Sequence, residues 1–205
     1  MGISIPGKVI VFDYGEVISS TPSERDRDEI VALAGSDPDR FWPAYWERRD
    51  QLDLGSLGIV AYWRDIAEKL GEQWSDATIH RLWLADFRSW LTVDHGTLDV
   101  LVDLQEGGTR MALLSNAGRD FGSYFRHGAL GGLFDAVFVS GELGAIKPAP
   151  EIFEVTMREL GITADEMVFI DNKEENVRGA EALGITGHTF TGAAALRAFL
   201  SSLVV

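Results

Sequence analysis

Asp13 closes the apolar run Val9-Ile10-Val11-Phe12, and the turn residues Tyr14, Gly15 and Glu16 follow it. A carboxylate at the end of a run that reads as core is costly unless it is partnered or used. Other apolar runs end on polar residues too. Residues 110–114 lead into Ser115 and Asn116, residues 136–139 precede a loop carrying Lys147 before Pro148, and residues 167–170 lead into Asp171 and Asn172. Together these positions offer carboxylates, a hydroxyl, carboxamides and an ammonium. That set suits phosphoryl transfer, which needs a nucleophile or metal ligand, donors for the phosphoryl oxygens and a cation to neutralise charge.

The residues can cooperate only if the runs lie side by side. Strands are predicted at 8–13, 110–114, 136–139, 167–170 and 187–190, and helices at 94–107, 119–127, 150–160, 174–184 and 192–202. Short apolar strands alternating with helices predict an α/β fold with a doubly wound, mostly parallel sheet covered on both faces. In such sheets the ligand site forms outside the carboxyl ends of the strands, where the strand order reverses. Gly107, Gly161 and Gly184 stand where helices should stop. Residues 20–92 show no convincing strand but helical stretches at 23–34, 38–50, 56–70 and 75–90. The expected organisation is a core of residues 1–19 and 93–205, with a small all-helical insertion at 20–92 after the first strand. The crossings near 18–22 and 91–95 would be its hinges. Trp42, Trp46, Trp63, Trp74 and Trp83 are expected to pack inside that bundle, and Tyr45, Trp46 and Arg49 are by position the candidate pocket residues of a segment that closes over the site.

Composition narrows the partners. The 205 residues are 46% apolar and carry a formal net charge of −14 with no basic stripe, which argues against nucleic acid and for a small-molecule partner. There is no cysteine, so disulfides and thiolate chemistry are excluded. No apolar run approaches the ~20 residues that span a bilayer, and the N-terminus lacks a signal-peptide layout. A cytoplasmic setting without membrane association is expected. His80, His95, His127 and His188 are scattered without ligand spacing. The tryptophan-rich insertion offers a surface on which a homodimer could form.

In order and kind, the motifs across residues 8–180 resemble those of the haloacid dehalogenase (HAD) superfamily of hydrolases. "IKPAPEIF" is close to that family's third motif, and "NVRGA" to the helix after its fourth. The insertion resembles a helical cap of the C1 type. The resemblance implies a Rossmann-like core in which Asp13 is the nucleophile that forms an aspartyl-phosphate. It implies that Ser115 and Asn116 bind the transferring group and that Lys147 stabilises its charge and that of Asp13. Asp13, Gly15, Asp171 and Asn172 would hold Mg²⁺. The implied function is a Mg²⁺-assisted phosphatase of a small phosphorylated metabolite.

Two residues depart from the family pattern. Gly15 stands where phosphatases of the family usually carry a second Asp, their general acid and base. Its carbonyl can ligate a metal but delivers no proton. Substrates with good leaving groups are therefore expected: acyl, anomeric sugar or aryl phosphates. Glu16 is a candidate substitute, with a solvated turn residue as its plainer reading. Asn172 replaces a carboxylate by an uncharged amide, so weak Mg²⁺ affinity is expected. Glu174 and Glu175 most simply favour a helix start. The alternatives are a metal-independent 2-haloacid dehalogenase and a catalytically weakened scaffold that binds a ligand or partner. The dehalogenase would draw on Tyr14 and on Arg48 or Arg49, which otherwise read as surface charges.

Overall fold

The computed structural model describes residues 2–204. Its strands are β1 (Val9–Phe12), β2 (Arg110–Ser115), β3 (Ala136–Val139), β4 (Met167–Asp171) and β5 (Thr186–Thr189). All neighbours pair in parallel, in the order β3-β2-β1-β4-β5. β1 is central. The chain winds outward through β2 to β3, then crosses back to lay β4 on the other side of β1. The strand order therefore reverses at the carboxyl end of β1, the end that carries Asp13.

Period-two alternation sorts the side chains of β1 between two cores. Ile10 and Phe12 join Leu113, Val168 and Ile170 on one face, while Val9 and Val11 join Leu114, Met167 and Phe169 on the other. Helices α1 (Glu24–Ala34), α2 (Pro38–Glu47), α3 (Arg49–Asp53), α4 (Ile59–Leu70) and α5 (Asp76–Ser89) follow β1. α6 (His95–Glu106), α7 (Asp120–His127), α8 (Ser140–Leu143), α9 (Pro150–Leu160), α10 (Glu174–Glu181) and α11 (Ala193–Ser202) flank the sheet. α6, α7 and α11 cover the first core, α9 and α10 the second. No helix among the described residues is long and apolar enough to cross a membrane.

α1, α2, α4 and α5 bury an apolar cluster of their own around Phe41, Tyr45, Tyr62, Trp63 and Leu82. The segments entering and leaving this helical layer run together. Ser20 N–H donates to the Thr92 carbonyl at 2.7 Å and Asp94 N–H to the Ile18 carbonyl at 2.8 Å. Two expectations are corrected. The helix predicted over 38–50 is broken at Arg48, whose φ of −124° turns the following residues inward and buries Arg49 and Asp53. Trp46 does not fill the bundle but stands where the pocket expectation put it. It is 55% exposed, because it lies on the wall of a cavity and not on the packed stripe of α2.

The helical layer is fastened to the sheet layer by three close contacts. The Ser140 hydroxyl donates to the Asp53 carbonyl, Trp83 Nε1 donates to Asp120 Oδ2 at 2.7 Å, and Gly55 approaches the backbone of Gly141. Gly55 has φ +77°, and a Cβ there would collide with the Gly141 carbonyl oxygen. Gly55→Ala is therefore expected to destabilise the protein by at least about 1–2 kcal/mol from the left-handed backbone alone. Gly58→Ala, where a Cβ meets nothing and φ is −77°, is expected to cost less, about 0.5–1 kcal/mol from the loss of a favoured N-cap residue of α4. Urea denaturation of both variants checks this.

Candidate active site

Asp13 begins where β1 ends. Its N–H still donates to the Ile170 carbonyl at 2.8 Å, so the residue is held in line with the strand while its side chain reaches the edge of the sheet. Lys147 Nζ meets it at Oδ1 at 2.8 Å. The same ammonium donates to Asp171 Oδ2 at 2.7 Å and to the Leu114 carbonyl at 2.9 Å, so all three of its N–H groups are taken. Burial disfavours the charge on Lys147, but Asp13 and Asp171 outweigh it and hold the ammonium above its ordinary range. Asp13 is pushed up from 3.8 to about 6. Burial is the main cause, Lys147 opposes it and the Asp171 charge adds to it.

The Asn116 carboxamide secures the Lys147 main chain: Nδ2 donates to its carbonyl at 3.0 Å and Oδ1 accepts its N–H at 2.9 Å. Asn116 therefore places Lys147, a task that its position after a strand did not reveal. Ser115 lies on the cavity wall, and its hydroxyl makes no hydrogen bond to another described residue.

Asp171, expected as a metal ligand, sits beside Lys147, fully buried and outside the residues that line the cavity. Its Oδ2 accepts from Lys147 and from Asn176 Nδ2 at 3.0 Å and its Oδ1 from Lys173 N–H at 2.8 Å, which leaves acceptor capacity on Oδ1. Asn172 and Gly15 do line the cavity. Asn172 Nδ2 donates to Glu16 Oε2 at 2.8 Å, which turns the amide oxygen away from Glu16. Glu16 Oε1 accepts from Thr21 Oγ1 at 3.0 Å. Glu16 is thus held at both oxygens and is not a loose turn residue. Its φ of 59° lies in the left-handed region. Among the described residues, no three His, Cys, Asp or Glu side chains converge into a metal-holding group.

The helical layer supplies the rest of the wall. Tyr45, Trp46, Arg49, Asp53 and Asp86 line the same cavity of about 430 Å³ as Asp13, Ser115 and Lys147. Arg49 is not a surface charge. Its Nε meets Asp53 Oδ1 at 3.0 Å and its Nη1 meets Asp86 Oδ2 at 3.1 Å, while Tyr45 Oη donates to Asp86 Oδ1 at 2.7 Å. Burial, opposed by Arg49, pushes Asp53 up to about 6. Arg48 does lie at the surface, paired with Asp65 at 2.9 Å. Tyr14 packs on Phe125 at 4.5 Å between ring centroids and donates to the Trp90 carbonyl at 3.0 Å, which fixes the turn after Asp13. Asp86, Asn176 and Ser140 were missed from the sequence. The available signal for Asp86 was a charge on the buried stripe Ile79–Leu82–Ala85 of α5.

Comparison with known proteins agrees with this geometry. The family model described as haloacid dehalogenase-like hydrolase matches residues 8–184. D-ribitol-5-phosphate phosphatase of Bacteroides thetaiotaomicron is 26% identical over 188 residues, covering 86% of this chain and 88% of that protein. Glyceraldehyde 3-phosphate phosphatase of Methanothermobacter thermautotrophicus is 32% identical over 183 residues, covering 86% and 71%. A HAD family enzyme of Bacteroides thetaiotaomicron, solved in complex with magnesium and inorganic phosphate, superposes with a TM-score of 0.69 at 26% identity. That superposition covers 89% of this chain and 93% of the other. With its strand order, its strand-end carboxylates and this match over most of its length, the chain belongs to the haloacid dehalogenase-like hydrolase family.

Proposed function

We propose that this chain is a Mg²⁺-assisted phosphatase of a small phosphorylated metabolite, acting through an aspartyl-phosphate on Asp13. The observation that carries this reading is that Asp13 is clamped by Lys147 at 2.8 Å yet stands on the cavity wall, as a nucleophile must. Relatives named as phosphatases support it. Residues 20–92 would form the cap and residues 1–19 with 93–205 the catalytic core. The acidic balance of the chain favours a small-molecule partner and a cytoplasmic setting.

The site suits a hard divalent cation. One ammonium, Lys147, stands against three carboxylates, Asp13, Asp171 and Glu16, and the oxygens lining the cavity include the Asp13 carboxylate, the Gly15 carbonyl and the Asn172 amide oxygen. Those three residues, with Asp171 directly or through a water, would hold Mg²⁺. When bound, the ion supplies neutralising charge for the phosphoryl oxygens. Asp13 attacks phosphorus, and the bond to the leaving oxygen breaks with its electron pair. Water then attacks the aspartyl-phosphate at phosphorus, releasing inorganic phosphate and restoring Asp13. Lys147 holds the attacking carboxylate in place, and Ser115 offers its hydroxyl to the transferring group. No side chain at Gly15 protonates the leaving group, so leaving groups that depart as weak bases are favoured.

Phosphate release from acetyl phosphate and an aryl phosphate, with and without Mg²⁺, tests the reading. Mg²⁺-dependent turnover that falls to background in Asp13→Asn is the expected result. Undiminished turnover in that variant, or halide release from 2-haloacids in the presence of a chelator, would overturn it.

Two further outcomes are expected. Asp13 must be ionised to attack, and a cation on it would lower its pKa from about 6, so kcat/KM with Mg²⁺ should fall about tenfold per pH unit on an acid limb whose midpoint lies below about 6. Stability runs the other way. The folded chain keeps on Asp13 a proton that the unfolded chain loses near 3.8, so this contribution shrinks as pH rises from there through about 6. A pH–rate profile and pH-dependent melting check the pair. Separately, a Cβ at Gly15 would meet only the Trp90 ring at 3.6 Å, an ordinary contact. Gly15→Asp should therefore fit and raise turnover of alkyl phosphates by about 10²-fold, while acyl phosphates gain little.

A further inference from the structure

Arg49, Asp53 and Asp86 form a charged group that the chemistry at Asp13 does not use. All three are over nine-tenths buried, in a helical layer otherwise packed with aromatic residues. Burying such charges is costly, and a well-packed apolar replacement often serves stability as well or better. Their position on the cavity wall suggests a use.

The hydrogen-bonding inventory indicates what that use is. Arg49 directs Nε to Asp53 and Nη1 to Tyr45 and Asp86. The guanidinium also serves the Tyr62 hydroxyl, so its donors are committed inside the helical layer. Asp53 Oδ2 accepts no hydrogen bond from a described residue, and Asp53 lines the cavity. The wall therefore presents a carboxylate acceptor whose guanidinium partner is already engaged. A hydroxyl can donate to that acceptor. A carboxylate only accepts, and it would face a group in which one guanidinium already serves two carboxylates, for a formal charge of −1. Trp46 and Tyr45 add flat apolar surface against which the carbon faces of a polyol can lie.

We propose that Arg49, Asp53 and Asp86 read substrate hydroxyls and select phosphate esters of uncharged polyols or sugars over phosphorylated carboxylic acids. The inference rests on the phosphatase reading above and deepens it. The arrangement also explains why Arg49 does not serve as a free carboxylate receptor, since two aspartates neutralise it in place.

The test measures kcat/KM on the full chain with Mg²⁺ for three probes: acetyl phosphate, a pentitol phosphate and phosphoglycolate. Wild type is expected to prefer the pentitol phosphate over phosphoglycolate by at least about tenfold. In Asp86→Asn that ratio should fall by about tenfold, chiefly through KM for the pentitol phosphate, because a charged hydrogen-bonding partner of the wall is lost. Asp53→Asn, on the other side of the guanidinium, should move the ratio in the same direction and serves where Asp86→Asn does not fold. Equal use of pentitol phosphate and phosphoglycolate by a wild type active on acetyl phosphate overturns this proposal alone. So does a ratio that stays fixed in a folded variant. No turnover of any probe by wild type overturns the phosphatase reading and this inference together.

Discussion

The buried ammonium of Lys147 is the constraint around which the rest is arranged. Its three acceptors come from the ends of three adjacent strands: the Leu114 carbonyl of β2, Asp13 after β1 and Asp171 of β4. A cation taken out of water needs all of them, and removing one partner of such a group costs about 3–5 kcal/mol. The loop after β3 must therefore return across β2 and β1 to reach β4. Asn116 holds that path by pairing with the Lys147 main chain, and Asn176 and the Lys173 N–H complete the environment of Asp171. Asp13, the proposed nucleophile, is positioned by the same contacts that make the cation tolerable.

A second buried cation repeats the pattern in the helical layer. Arg49 faces two carboxylates, as Lys147 does, and in both groups burial pushes one aspartate up to about 6. The two groups share one cavity wall, so the cavity carries an excess of acid from both layers. On the proposed reading, an anionic phosphate would enter such a space with a compensating cation, so the acid of both layers would couple substrate binding to metal and pH. The close approach of Gly55 to Gly141 and the Ser140–Asp53 contact hold the layers near enough for this sharing.

Much of the sheet was legible because its signal is local. An apolar run that ends on Asp13, Ser115 or Asp171 announces both a strand and its functional end, and the resulting strands fall within a residue or two of expectation. The helical layer hid its polar wall. Arg49 and Asp53 stand four apart, the spacing of an ordinary exposed pair, and only the turn at Arg48 carries them inside. Contacts distant in sequence were legible only where motifs paired them, as for Lys147 and Asp13. Glu16 and Asn172 are separated by 156 positions and meet only because β1 and β4 are neighbours.

That last contact changes how the two departures in the motifs are understood. Taken singly, Gly15 removes a proton donor and Asn172 removes a negative charge. In the folded chain Glu16 stands next to the first and bonds to the second. Its carboxylate returns a negative charge to the wall beside Asn172, and by accepting from Nδ2 it fixes which end of the amide is the oxygen available to a cation. Thr21 holds the other oxygen of Glu16, and the buried Tyr14 anchors the turn through the Trp90 carbonyl. The charge lost at position 172 is thus replaced across the sheet edge, whereas the proton lost at position 15 is not. The asymmetry locates the chemical consequence in the leaving group, with the capacity to attract a cation retained.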